Sequence, residues 1–247
     1  MAVRVKVGPY YRFAALIVRP VLFAITKRDW RGFENVPQKG GVIVAVNHIS
    51  HADPLIFAHY LFDHGRPGCF LGKSSLFSVP FVGRILRGAG QIPVLRESEG
   101  AHVAYKAAVE AVNRGELLGV YPEATLTRDP HHWPMTGKTG LARIALETGA
   151  PVIPMAQWGA QEIIGTYEKR IKIFPRTLVH VHAGPALDLS PWMGKPINQQ
   201  VLLEVTNFVL DAITRMLEDI RGEKAPAERF DARKSDLPRT GNFKKKP

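Results

Sequence analysis

The sequence predicts an α/β fold, with a mixed, mainly parallel sheet flanked by helices and an N-terminal membrane-associating helical segment. Two observations predict the layered part. From Gly40 onward, short apolar runs alternate with stretches of helical periodicity, the pattern of strand–helix–strand units. Several runs end on polar or charged residues, Asn47, Lys73, Arg96 and Glu123. In such folds, ligand-contacting side chains gather just past the carboxyl ends of strands. A third observation predicts the leading segment: residues 10–26 are apolar over most of a helical surface and have basic residues on both flanks, which favours lying in a membrane interface.

Taking the elements in order, Arg12, Arg19 and Thr26 are spaced by seven and share one stripe of the first helix. Tyr11, Phe13, Leu16, Ile17, Val18, Leu22 and Phe23 spread over the remainder, with Arg4 and Lys6 before and Lys27, Arg28 and Arg31 after. The run is shorter than the roughly 20 apolar residues a spanning helix needs, and Arg19 and Pro20 interrupt it. It also lacks the small-residue cleavage site of a signal peptide. A helix buried in the core is the alternative. Strands are expected at 41–47, 69–73, 90–96, 117–123, 151–158 and 177–184, and helices at 54–63, 75–87, 100–113, 138–148 and 197–220. After Arg221 the chain turns polar and closes on three lysines, which reads as a disordered basic tail. The expected division is an interfacial helix at 1–31, a catalytic domain at 32–220 and a tail at 221–247.

The net charge is +11, which favours polyanionic partners: nucleic acid, anionic lipid or phosphorylated substrates. No recognised nucleic-acid module is present, so nucleic acid is not expected as a partner. Cys69 is the single cysteine, so no intrachain disulfide forms.

The segment from Asn47 to Pro54, NHISHADP, places His48 and Asp53 at a strand end with four residues between them. A hydroxyl is a poor nucleophile until a base takes its proton, and neutral imidazole suits that task near pH 7. A carboxylate on the other ring nitrogen fixes the tautomer and stabilises the imidazolium. Alone, the pair is equally compatible with a helix N-cap cluster around a satisfied histidine. His48, His51, Asp53 and His59 do not have the spacing of the common hydrolase metal pattern, so no metal is expected. There is no G-x-S-x-G turn for a serine nucleophile, so the base is expected to act directly on a substrate hydroxyl. Further on, GAGQIPVLR ends in Arg96, and VYPEATLTRD contains Arg128. Glycine allows close backbone approach and arginine binds phosphate through its planar fork. Singly, either arginine reads as a solvated surface residue.

In their order, these segments resemble the 1-acylglycerol-3-phosphate acyltransferases, the glycerolipid acyltransferase family that makes phosphatidic acid. Asn47, His48 and Asp53 match the family's N-H-x-x-x-x-D block, and Gly90 with Arg96 match its glycine–apolar–arginine block. Tyr121, Pro122, Glu123, Thr125 and Arg128 are similar to its aromatic-P-E-G-T-R-S-R block, and Val152, Ile153 and Pro154 to its V-I-P strand. The family-like run GKSSLFSVPFVGRIL contains Lys73. Two positions depart: Ala124 replaces the usual glycine and Leu126 the usual arginine. The resemblance covers residues 30–190. It implies His48 as general base and Asp53 as its orienting partner. Lys73, Arg96 and Arg128 would hold an acceptor phosphate, and Glu123 and Thr125 would shape the acceptor pocket. The implied acceptor is a lysophosphatidic acid, the implied donor acyl-CoA or acyl carrier protein, with no cofactor. The implied location is an anionic membrane surface on the cytoplasmic face, peripheral or monotopic. Two alternatives remain: an acyltransferase for another glycolipid or lysophospholipid, and a non-catalytic lipid-binding relative.

Overall fold

The structure, a computed structural model, describes residues 8–94, 98–167 and 171–235. Its frame is a seven-stranded sheet: β1 (Thr26–Arg31), β2 (Val42–Val46), β3 (Gly68–Lys73), β4 (Ile92–Val94), β5 (Leu117–Val120), β6 (Val152–Trp158) and β7 (Thr177–Ala183). The spatial order is β1-β7-β6-β2-β5-β3-β4. Every neighbouring pair is parallel except β6 and β7, which are antiparallel. The sheet is therefore mixed and mainly parallel, as the alternation of apolar runs and helical stretches predicts.

The helices are α1 (Pro9–Ile25), α2 (Asp53–Asp63), α3 (Ser74–Phe77), α4 (Val82–Gly88), α5 (Ser98–Asn113), α6 (Gly140–Thr148), α7 (Ala160–Ile163) and α8 (Gln199–Arg221). Two apolar layers sandwich the sheet. Leu22 of α1 and Ile56, Phe57, Tyr60 and Leu61 of α2 pack on Val42, Val44 and Val46 of β2 and Val179 and Val181 of β7. Ala108 of α5, Leu141 of α6 and Val205, Val209 and Ile213 of α8 pack on Ile43, Leu118 and Val152. All five residues of β2 are buried, as expected for a central parallel strand covered on both faces. Each large aliphatic side chain so buried contributes about 1.5–3 kcal/mol. At the amino ends of the strands, buried Arg66 donates to the carbonyls of Pro37, Gly40 and Gly115.

Four expectations change. The first helix ends at Ile25, and 26–31, expected in the helical unit, form edge strand β1 paired with β7. Its TKRDWR sequence is charged because an edge strand has one open side. The helix expected at 75–87 is two, α3 and α4. Pro80 disfavours helical geometry at the residue before it, and Phe81 then takes φ 68. On α1, Arg19 does not share a solvent stripe with Arg12. It pairs with Asp63 of α2 at 2.6 Å and lies over the Phe62 ring, while Thr26 is buried. The face left open is apolar instead: Tyr10, Phe13, Leu16, Ile17 and Val21. Finally, the expected tail is ordered through Ser235. Phe230 accepts a hydrogen bond from the Thr136 amide at 2.9 Å, and Arg229 pairs with Asp211 of α8. Residues 236–247 lie outside the described residues.

Candidate active site

The site is built where β2 ends. Asn47 is buried, its side chain donating to the Gln157 carbonyl at 2.9 Å and accepting from the Gln157 amide at 2.8 Å. Gln157 returns a bond from its side-chain amide to the Asn47 carbonyl at 3.0 Å. These bonds extend the β2–β6 pairing one residue past the ladder, so the next residue, His48, leaves the sheet in a fixed direction.

His48 Nδ1 lies 2.9 Å from Asp53 Oδ2. Asp53 is fully buried at the first turn of α2, and the same oxygen accepts from the amides of Ile49 at 2.6 Å and Ser50 at 2.8 Å. The carboxylate thus closes the strand-to-helix turn and aims the imidazole. With Nδ1–H donating to Asp53, the lone pair of the ring is on Nε2. The His48 side chain is 15% exposed, and its ring stacks on Tyr121 with centroids 4.1 Å apart. That stacking restricts the ring to one plane. Burial pushes the Tyr121 hydroxyl well above its usual pKa, so the phenol stays neutral.

The segment after β5 wraps around His48. The Thr127 amide donates to the His48 carbonyl at 2.7 Å. Glu123 Oε1 accepts from the His48 amide at 3.1 Å, and Oε2 from the Met135 amide at 3.0 Å. Glu123 is buried. It is a brace between the His48 turn and the 133–136 segment. Burial pushes its carboxyl up to about 8, with the Met135 and His48 amides pulling the other way.

Ala124 adopts φ 58, the left-handed conformation that glycine takes without penalty. Leu126 is 3% exposed, and its carbonyl accepts from the Tyr167 hydroxyl at 2.7 Å. Arg128 is buried, not solvated, with its guanidinium 4.7 Å from the centre of the Tyr167 ring. Thr125 is partly exposed in the same loop. Lys73 is exposed at the carboxyl end of β3, two strands from β2, or about 10 Å by strand spacing. Arg96 lies outside the described residues. His48, Asp53, Glu123 and the 124–128 loop are thus one hydrogen-bonded unit, with Lys73 along the same sheet edge.

His59 belongs elsewhere. It is buried on α2, 3.3 Å from Asp63 and against the rings of Phe23 and Trp30. Tyr121 and Tyr167 were not predicted as site residues. The aromatic residue before Pro122 was the available signal for the first; nothing local marks the second, which arrives from the chain after β6.

Comparison with known proteins follows the same lines. The acyltransferase family model matches residues 27–158, from β1 to the end of β6. A 1-acyl-sn-glycerol-3-phosphate acyltransferase of Borreliella burgdorferi is 30% identical over 191 residues, 77% of this chain and 71% of that protein. The chloroplastic 1-acyl-sn-glycerol-3-phosphate acyltransferase BAT2 of Brassica napus is 30% identical over 147 residues, 59% of this chain and 41% of the plant protein. The crystal structure of the 1-acyl-sn-glycerophosphate acyltransferase PlsC of Thermotoga maritima has the same fold, with a TM-score of 0.65 at 22% identity over 88% of this chain and 80% of that one. With the family model spanning more than half its length and the Borreliella protein matched along most of both sequences, this chain belongs to the acyltransferase family and is an acyltransferase.

Proposed function

We propose that the chain transfers a fatty acyl group from acyl-CoA or acyl carrier protein to the free hydroxyl of a lysophosphatidic acid, giving phosphatidic acid. The observation that carries this reading is the His48–Asp53 pair at the end of β2, with Nδ1 engaged at 2.9 Å and Nε2 left as the base. Nε2 takes the acceptor hydroxyl proton as the oxygen attacks the thioester carbonyl carbon. The C–S bond breaks, and the imidazolium returns the proton to the departing thiolate. Asp53 stabilises the imidazolium formed between the two steps. The names of the relatives support the acceptor, and the positive net charge suits two anionic substrates. Lys73, Arg96 and Arg128 are the proposed phosphate ligands, and Thr125 a wall of the acceptor pocket.

The reaction is proposed to take place at an anionic membrane surface. Among the described residues no helix is long and apolar enough to cross a membrane. Yet the open face of α1 is apolar, with Leu16 73% exposed. It continues through Phe13, whose ring lies 6.0 Å from that of Phe81, into the exposed Leu76, Val79, Phe81 and Val82. Arg12, Arg84 and Arg87 are exposed on the same two segments, and Lys27 just after α1; all four complement lipid phosphates.

A second reading, acylation of a lipid without a phosphate monoester, is favoured by one observation. Leu126 stands where the family's arginine is expected, and it is buried. Acyl transfer to lysophosphatidic acid compared with monoacylglycerol separates the two. The first reading expects a strong preference for the phosphorylated acceptor; equal or reversed rates would favour the second.

A further inference from the structure

We infer that Asp29, His180 and His182 form a binding site for a divalent transition-metal ion, separate from the catalytic pair. His180 and His182 alternate with the buried Val179 and Val181 along β7, so both imidazoles project from the same side of the sheet. Asp29 of β1 is the register partner of His180. Its Oδ2 lies 2.8 Å from His180 Nδ1 and 3.0 Å from His182 Nε2. The three ligand atoms all lie within 4.8 Å of one another.

The geometry suits a metal with open positions. Bonds of about 2.1 Å place neighbouring ligand atoms ~3.4 Å apart in a tetrahedral site and ~3.0 Å apart at right angles, so small side-chain shifts from the present oxygen–nitrogen separations of 2.8 and 3.0 Å admit either. Two imidazoles and one carboxylate favour zinc, cobalt, nickel, copper or iron over the hard cations calcium and magnesium. The side chains are 21%, 18% and 22% exposed for His180, His182 and Asp29, which leaves a route for an ion and its waters. Asp29 Oδ1 is held by Arg31 Nε at 2.7 Å. That bond orients the carboxylate and survives when Oδ2 turns to a metal; the longer contact from Arg31 Nη2 to Oδ2, 3.1 Å, is the one exchanged.

The site lies away from the chemistry. β7 is two strands from β2 and β1 is three, roughly 10 and 14 Å by strand spacing. An ion here would pin the edge strand that follows α1 to the body of the sheet, a role in stability and not in acyl transfer.

The test uses the whole 247-residue chain after chelator treatment. Zn²⁺ binding is followed by calorimetry, and Co²⁺ binding by its visible absorption. One equivalent should bind, and zinc at about a hundredfold above its Kd should raise the Tm by roughly 5–10 °C. His180→Gln and His182→Gln should each weaken binding at least tenfold, with unchanged circular dichroism. Acyl transfer should be equal with and without chelator. No binding to the wild type at 100 µM zinc (a concentration of order 10⁻⁴ M) would reduce the triad to a hydrogen-bonded cluster. Stoichiometric binding that persists in both variants would place the ion on other histidines. Either result overturns the inference and leaves the proposed reaction untouched.

Discussion

Replacing Ala124 by glycine should stabilise the protein without loss of activity. Ala124 has φ 58 and is exposed. Left-handed geometry costs an L-residue with a Cβ about 1–2 kcal/mol. Glycine removes that cost but gives the unfolded chain more freedom, worth about 0.4–1 kcal/mol against the variant. The net is a gain of about 0.5–1 kcal/mol, or roughly 1–4 °C in Tm for a chain of this size. Because the next residues carry the Thr127–His48 bond, a relaxed turn should leave turnover equal or higher. Denaturant unfolding at fixed pH gives the stability, and acyl-transfer kinetics on the same preparation give the activity. A destabilisation above 1 kcal/mol, or a tenfold fall in kcat, would mean that the loop is built around this methyl group.

Other outcomes follow from the same geometry. Glu123→Gln keeps one acceptor but turns an amide donor toward the second N–H, so at pH 5 it should be less stable by about 1–3 kcal/mol. Burial holds the Glu123 carboxyl at about 8, above its ordinary 4.5. The wild type therefore has this stability in full below pH 4.5 and loses it as pH rises through 8, and the gap to the variant should narrow over that range. A gap that widens with pH would contradict the assignment. Leu16→Glu with Ile17→Glu should weaken binding to anionic vesicles at least tenfold while leaving the fold intact, since both side chains are open; unchanged sedimentation with vesicles would remove α1 from the membrane face. Arg96→Ala and Arg128→Ala should each raise the acceptor KM by roughly ten- to a hundredfold, with less effect on the donor. If both variants discriminate against the phosphate-free acceptor as strongly as wild type, neither binds the phosphate.

The central strands and the His48–Asp53 turn were legible because local pattern and tertiary role coincide there. The run at 41–47 is apolar throughout, as a strand covered on both faces must be, and its polar terminus falls where the sheet ends. Position 124 was marked only through the resemblance, where glycine is usual, and its φ of 58 gives the reason. Other features depend on partners distant in sequence. β1 reads as the basic flank of the first helix until β7 supplies its register. Arg19 looks like an interfacial charge until Asp63 is placed beside it. The bracing contacts of Glu123 are of this kind too, since only the fold brings the His48 and Met135 amides to its two oxygens. The cluster of Asp29, His180 and His182 joins residues about 150 positions apart, so no local motif announces it.

The most direct test of the account is His48→Ala in an acyl-transfer assay with lysophosphatidic acid and acyl-CoA, the fold being checked by circular dichroism. His48 Nε2 is the only base the proposed mechanism uses, so turnover should fall by roughly 10²–10⁴ with smaller changes in either KM. Asp53→Asn should fall in the same direction, because the ring loses the acceptor that fixes its tautomer. Near-normal turnover in a folded His48→Ala protein would contradict the mechanism outright.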